Sequence, residues 1–342
     1  MLHAALLYDK QEDNSVICNL CAHRCRIKEG KRGICSVREN HEGELFTQVY
    51  GNLIAKNVDP IEKKPLFHFF PGTKAYSIAT PGCNFRCEWC QNWQISQMPR
   101  LMDMPKSKLI MPEIIVEQAL MTGCRSIAYT YTEPTIFFEY SLDIAKLAKE
   151  AGLMNVYVTN GFMTPEMLKM ISPYLDAANI DIKAFRDETY RKLMGGSLKP
   201  VLESCRLMKD SGIWLEVTTL VVPDVNDDLD ELRELAAFIV NELGSETPWH
   251  ISRFFPQYKM TERKPTDERF LQKVSTIGDS SGLHYIYTGN VWRQDKTTCK
   301  VCGETLIIRN GYLIQVVGLD EEEKCKHCKT SIDGVGFGFP LI

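Results

Sequence analysis

Cys83, Cys87 and Cys90 stand at C-x3-C-x2-C within the stretch TPGCNFRCEWCQNWQISQ. Zinc asks for four protein ligands, or for three and a water. Three thiolates can instead hold three irons of a [4Fe–4S] cube and leave the fourth iron free to take a substrate or co-substrate. Pro81 and Gly82 let the chain turn into this loop, and Trp89 lies immediately before the last ligand. A zinc site completed by a distant ligand, or a disulfide loop, is the plainer alternative.

Two more groups of cysteines flank this one. Cys18, Cys21, Cys25 and Cys35 bring four thiolates into one short stretch, with Gly30 and Gly33 allowing the backbone to fold back. So small an element gains its folding energy from a metal, with zinc the default and a second iron–sulfur cluster the alternative. His23 could replace one of these cysteines. Near the end, Cys299, Cys302, Cys325 and Cys328 form two C-x2-C knuckles around LIIRNGYLIQ, a hairpin expected to turn at Asn310-Gly311. That pattern predicts a zinc ribbon, with a rubredoxin-type iron as second choice. The remaining pair, Cys124 and Cys205, reads as small core residues. The terminal DGVGFGFPLI is expected to dock on the ribbon or on the main domain.

Between the outer groups the chain alternates strand and helix. Strands are predicted at 75–80, 126–131, 155–160, 177–184, 214–222, 249–254 and 283–288, each short and rich in β-branched or aromatic residues. Thr164-Pro165 predicts a helix start, and Leu229 to Leu243 an amphipathic helix that stops at Gly244. This order implies an α/β fold with a parallel sheet and right-handed crossovers. The unusual polar residues fall at the carboxyl ends of the strands, the face on which a β/α barrel builds its site. They are Glu133 in TYTEPT, Asn160 in TNG, Asp181 and Lys183 in DIK, and His250. Upstream, ELFTQVYG reads as a strand. Phe67-His68-Phe69-Phe70 reads as an irregular connector, with His68 buried for structural reasons.

The spacing C-x3-C-x-aromatic-C resembles the signature of the radical S-adenosylmethionine (SAM) enzymes. The wider stretches DPIEKKPLFHFFPG and GCNFRCEWCQNWQIS resemble the radical SAM component of the AmmeMemoRadiSam system, a relative of pyruvate formate-lyase activating enzymes. The resemblance implies a partial (β/α)6-type TIM barrel over residues 73–294. Cysteine-rich modules then occupy 1–72 and 295–342. It also implies a [4Fe–4S] cluster on Cys83, Cys87 and Cys90 whose open iron chelates SAM, with Trp89 beside the adenine. One electron cleaves SAM to a 5′-deoxyadenosyl radical that abstracts hydrogen. Glu133 stands where the superfamily places a Gly-Gly-Glu strand, and suits the SAM ammonium. Without a ligand, it would cap the helix that starts at Pro134. Asp181 is the candidate for a ribose contact, Lys183 for a carboxylate or ribose, and Asn160 and His250 for the remaining shell. The implied partners are SAM, an unidentified small-molecule or protein substrate, and a one-electron donor such as a ferredoxin or flavodoxin. A glycyl-radical activase is the alternative function, and a non-catalytic metal scaffold the third.

Composition narrows the remaining classes. The 342 residues carry a formal net charge of −4 and 44% hydrophobic residues. That supports a sizeable core and no general affinity for nucleic acid. MLHAALLYDK lacks a basic segment before an apolar one, and no apolar run approaches the ~18 residues of a membrane helix. A cytoplasmic protein without a membrane partner is expected.

Overall fold

The computed structural model describes residues 3–102 and 108–338. The amino-terminal part consists of six short strands, β1 (His3–Ala4), β2 (Tyr8–Lys10), β3 (Val16–Cys18), β4 (Arg26–Ile27), β5 (Arg38–His41) and β6 (Glu44–Thr47). They form two antiparallel sheets, ordered β1-β6-β5 and β2-β3-β4. The strand expected in ELFTQVYG is β6. This unit is tied to the barrel helices through Leu6 N to Glu139 Oε1 (2.7 Å) and the buried Arg38–Glu139 pair (3.0 Å).

The main sheet has eight strands: β7 (Ala55–Pro60), β8 (Lys74–Ala79), β9 (Ser126–Tyr129), β10 (Met154–Thr159), β11 (Ala177–Asp181), β12 (Trp214–Val221), β13 (Trp249–Arg253) and β14 (Ile286–Gly289). They lie side by side in sequence order. β8 to β14 are parallel and match the seven predicted strands; β7 joins β8 antiparallel at the edge. The sheet therefore has two edges, β7 and β14, as a partial barrel requires. Helices behave as their sequences imply. Thr164 Oγ1 accepts from Met167 N to cap Pro165–Ile171, and the segment begun at Leu229 ends at Gly244 with φ +98°.

The curl of the sheet shows in one loop. Residues 61–73 leave edge strand β7 and touch four strands on the far side. Pro65 O accepts from Asn179 Nδ2 on β11 (2.8 Å), and the Phe67 and His68 amides donate to Glu216 on β12 (3.0 and 2.7 Å). The Phe67 ring packs on His250 of β13 and Tyr287 of β14. Small inward residues at the strand starts, Ala75, Ala128, Val156 and Ala177, leave room for Leu66, Phe69 and Phe70. The aromatic connector is thus a plug for the amino-terminal end of the barrel.

Glu62 belongs to this plug. Its Oε1 accepts from Gly72 N (2.7 Å), while Oε2 is buried with no hydrogen-bond partner among the described residues. Burial pushes its carboxyl up to about 7. The folded state thus holds a proton that the unfolded chain releases in the ordinary carboxylate range. This stabilisation is complete below about pH 4 and is lost as pH rises through about 7. Glu62→Gln is expected to melt with wild type near pH 4 and above it near pH 8. The shift limits the gain to on the order of 3 kcal/mol. Melting curves across this range check it; a constant offset at every pH counts against it.

The carboxyl-terminal part is the sheet of β15 (Gln294–Thr298), β16 (Thr305–Asn310) and β17 (Leu313–Val316). Asn310 pairs with Leu313, so the hairpin loop is Gly311-Tyr312, one residue beyond the expected Asn310-Gly311. Gly311 takes φ +60° there. This unit rests against the plug. Arg309 Nη2 donates to Phe67 O (2.7 Å), and Val335 pairs with Phe69.

Candidate active site

The cysteine loop leaves the carboxyl end of β8 and is fixed mainly through its backbone. Arg100 donates to Cys83 O (2.7 Å) and Phe85 O (3.0 Å), and Gln97 Nε2 also donates to Phe85 O (3.2 Å). Arg86 N donates to Met194 O (2.9 Å). Two glycines permit this packing. Gly82 takes φ +110° with Val37 beside it, and a Cβ on Gly196 would lie 2.3 Å from the Phe85 ring. The Gly195-Gly196 pair was the overlooked sequence signal for this clasp.

Donors surround the thiols. Phe85 N donates to Cys83 Sγ (3.4 Å), Asn160 Nδ2 reaches the same sulfur (3.8 Å), and Cys90 Sγ lies 3.2 Å from Ser96 Oγ. Lys183 Nζ is paired with Asp181 Oδ2 (2.8 Å), and both charges act on the Cys87 thiol. Burial pushes Cys87 up to about 12 and Cys83 well above the thiol range. Burial alone would depress Lys183, but Asp181 and the Cys87 thiol hold it above the usual lysine range. Bare thiolates are disfavoured in such a pocket, and a bound cation reverses that balance by displacing their protons. N–H donors to sulfur and a nearby ammonium also suit the negative charge of a ligated cluster. Next to the loop, Thr80 Oγ1 is buried without a hydrogen-bond partner among the described residues. The donor set fits a [4Fe–4S] cluster with a polar ligand beside it.

Glu133 is enclosed. Its Oε1 accepts from Thr135 N (3.0 Å), Thr135 Oγ1 (2.6 Å) and Thr159 Oγ1 (2.7 Å), and Oε2 from Asn160 N (2.8 Å). It caps the turn Pro134–Phe137 and sets Asn160, whose side chain donates to Asn84 Oδ1 (2.7 Å) beside Cys83. Burial raises its pKa, and these donors oppose the rise. Trp89 is buried within the loop. Across the mouth, Lys259 N donates to Glu88 O (3.0 Å) and Tyr258 stacks on Trp93, contacts without a counterpart in the sequence reading.

His250 belongs to a different constellation. It is the second residue of β13, and its Nε2 donates to Glu216 Oε2 (2.6 Å) below the strand ends. Burial opposes ionisation of Glu216, but His250 and the plug amides hold it below the usual carboxylate range. His68 lies here too, buried as expected and pushed down to about 4 by that burial. A neutral His68 donates from Nδ1 to Asp333 O (2.6 Å) and accepts at Nε2 from Tyr287 OH (2.7 Å). Tyr287 in turn accepts from Thr297, whose oxygen accepts from Arg309 Nη1 (2.7 Å). His23 also has another task than ligation: its Nε2 donates to Asn84 O (2.9 Å).

The three cysteine groups differ in spacing. Cys299, Cys302, Cys325 and Cys328 bring their sulfurs within 4.8 Å of one another, with Sγ···Sγ distances of 3.5 Å for Cys299–Cys328 and 3.6 Å for Cys302–Cys325. Among the described residues no other group of three or more His, Cys, Asp or Glu gathers so closely.

A family comparison accords with this geometry: residues 77–238 match the model of the radical SAM superfamily. An uncharacterized protein of Methanocaldococcus jannaschii is 46% identical over 97% of this chain and 99% of its own length. The chain belongs to the radical SAM superfamily. The pyruvate formate-lyase-activating enzyme of Clostridium pasteurianum is 22% identical over 47% of this chain and 67% of its own. Streptococcus suis SuiB bound to precursor peptide SuiA shares the fold at TM-score 0.50 and 14% identity, over 67% of this chain and 51% of that one. These relatives uphold the radical SAM and activating-enzyme parts of the resemblance, while the narrower AmmeMemoRadiSam assignment rests on the motifs alone. As a radical SAM family member the chain is an enzyme that uses a [4Fe–4S] cluster and SAM. Among the described residues no helix is long and apolar enough to cross a membrane.

Proposed function

We propose that Cys83, Cys87 and Cys90 hold the cluster and that Trp89, Asn160, Asp181 and Lys183 shape the SAM pocket, with Glu133 fixing Asn160. The convergence of groups from three strand ends on one three-cysteine loop carries this reading. When bound, the cluster supplies the electron that splits SAM to methionine and a 5′-deoxyadenosyl radical, which takes hydrogen from the substrate. The chain's own part is to hold, orient and exclude water. Lys183 and Asp181 offer a cation and an anion to the methionine carboxylate and the ribose. The unpartnered Thr80 hydroxyl offers a further polar contact. The segment carrying Tyr258 and Lys259 covers one flank, which suits a small substrate. Likeness to an activating enzyme keeps a protein glycine as the second reading. A ferredoxin- or flavodoxin-type protein is the proposed electron donor.

The test is anaerobic incubation of the iron-loaded protein with SAM and dithionite. Formation of 5′-deoxyadenosine supports the proposal, and a metal scaffold yields none. A glycyl-radical resonance on mixing with an inactive glycyl-radical enzyme would favour the second reading.

The carboxyl-terminal quartet is proposed to hold zinc, because tetrahedral Zn–S bonds of about 2.3 Å set thiolates roughly 3.8 Å apart. About one zinc per chain is expected at this site. Its removal by a chelator should lower Tm, since β15 to β17 have only a small core of their own. An unchanged Tm after complete zinc loss refutes that dependence.

A further inference from the structure

We propose that Cys18, Cys21, Cys25 and Cys35 hold a second [4Fe–4S] cluster, which exchanges electrons with the cluster at Cys83, Cys87 and Cys90. The second half of this inference rests on the proposed function; the first does not.

Thiol spacing is the first argument. The carboxyl-terminal quartet has the close spacing that one zinc ion imposes. The amino-terminal quartet is brought together by the fold: Cys18 N donates to Cys25 O (2.9 Å), Cys18 and Cys35 share one core with Cys25 packed against it, and Cys21 lies within electrostatic reach of all three. Yet no three of its sulfurs gather within 4.8 Å. Cys83, Cys87 and Cys90 behave in the same way: mutual electrostatic reach without close gathering. A four-iron cube demands this wider arrangement, because each thiolate binds a different iron. A single tetrahedral ion demands the closer one. The chain thus contains both types, and the amino-terminal quartet belongs with the cube.

A buried cation supplies a second, independent observation. Arg38 is 1% exposed and lies within electrostatic reach of Cys18, Cys35 and Cys21. It is paired with Glu139, yet its Nε is buried with no hydrogen-bond partner among the described residues. A buried N–H without an acceptor is costly. The bridging sulfides of a cube would add acceptors next to the thiolates, which a zinc–thiolate site lacks. Cys18, Cys21 and Cys35 are themselves buried, whereas the ribbon's Cys302 is exposed. A cluster here would be shielded from water by protein, and such burial tunes redox potential.

Position gives this site its use. Arg100 Nη2 donates both to Ile34 O (2.8 Å), the carbonyl before Cys35, and to Cys83 O (2.7 Å), the carbonyl of a radical-cluster ligand. His23, between Cys21 and Cys25, donates to Asn84 O next to Cys83. Cys18, Cys35 and Val37 share one apolar core with Phe85, Cys87 and Trp89. Two short hydrogen-bonded routes therefore join the sites. The step balances as one electron: the amino-terminal cluster passes from its reduced to its oxidised state while the other is reduced. An external low-potential iron–sulfur or flavin protein, or dithionite in the assay, restores the first.

The test uses the full chain, purified and loaded anaerobically, with two variants. One replaces Cys83, Cys87 and Cys90 by alanine and leaves the amino-terminal unit intact. The other carries Cys18→Ser and Cys25→Ser. Wild type is expected to hold about eight irons and the triple variant about four. On reduction the triple variant should give a paramagnetic resonance signal that SAM leaves unchanged. The Cys18→Ser/Cys25→Ser protein should keep a SAM-responsive signal with about four irons. If that variant does not fold, the triple variant decides alone. A triple variant with zinc and no iron at the amino-terminal quartet overturns the second cluster and leaves the proposed function standing. Iron in the triple variant without any SAM-responsive signal in wild type does the reverse. A doubly reduced wild-type spectrum should be broadened by coupling between the clusters. If it equals the sum of the two variants, the clusters are not electronic neighbours and the exchange is refuted.

Discussion

Cys87→Ala is expected to end 5′-deoxyadenosine formation while leaving the barrel folded. As the middle ligand of the proposed cluster, Cys87 would take with it both an iron bond and the charge on which Asp181 and Lys183 act. Substitution of partners that only support metal ligands costs about 10–100-fold, and loss of a ligand from a three-thiolate site should exceed that. The side chain itself is small, so the variant's stability should fall by only about 1–2 kcal/mol. The measurement is SAM cleavage under anaerobic reduction, with circular dichroism as the control for folding. Cleavage within tenfold of wild type by a folded variant would remove Cys87 from the cluster.

The second large effect concerns Glu133, and here stability leads. Glu133→Ala leaves Thr135 N, Thr135 Oγ1, Thr159 Oγ1 and Asn160 N facing a buried gap. Each unmatched buried donor costs about 1–3 kcal/mol, not additively, so a loss of about 4 kcal/mol is expected. Glu133→Gln retains one acceptor oxygen and should lose about half as much. Because Asn160 is held by Glu133, both variants should raise KM for SAM before they affect kcat. Denaturant titration and SAM-dependent kinetics separate these effects. An alanine variant of unchanged stability with a raised KM would mean that the carboxylate serves SAM directly and that the capping bonds are incidental.

The parts of this protein legible in its sequence are those with local causes. Seven strands announced themselves because each is a short apolar run closed by a turn residue, as in Asn155 to Asn160 or Trp214 to Val222. Cysteine spacing did the same for the carboxyl-terminal quartet, whose sulfurs the fold gathers. Edge strand β7 was not legible, since AKNVDP combines three exposed residues with a proline and borrows its order from β8. His250 shows a related limit: a histidine near a strand end looks like a ligand until Glu216, 34 residues away, is seen to accept its hydrogen bond. Glu133 admitted both roles because TYTEPT spells a helix cap and an acidic strand end at once. Gly196 needed the Phe85 ring before its lack of a side chain had meaning. Each of these depends on a partner distant in the chain, and no periodicity encodes such a partner.

The plug has a consequence for how the molecule is made. Phe67 and His68 leave the ribosome early, yet Arg309 and Asp333, which complete their hydrogen bonding, follow 242 and 265 residues later. Such distant pairings close late, because the intervening chain must first be synthesised and collapse. The barrel floor therefore stays unfinished through translation of every barrel strand. The ribbon with its four thiols emerges only after every barrel strand. A nascent chain stalled before residue 309 would leave Phe67 O without its Arg309 donor and His68 without Asp333.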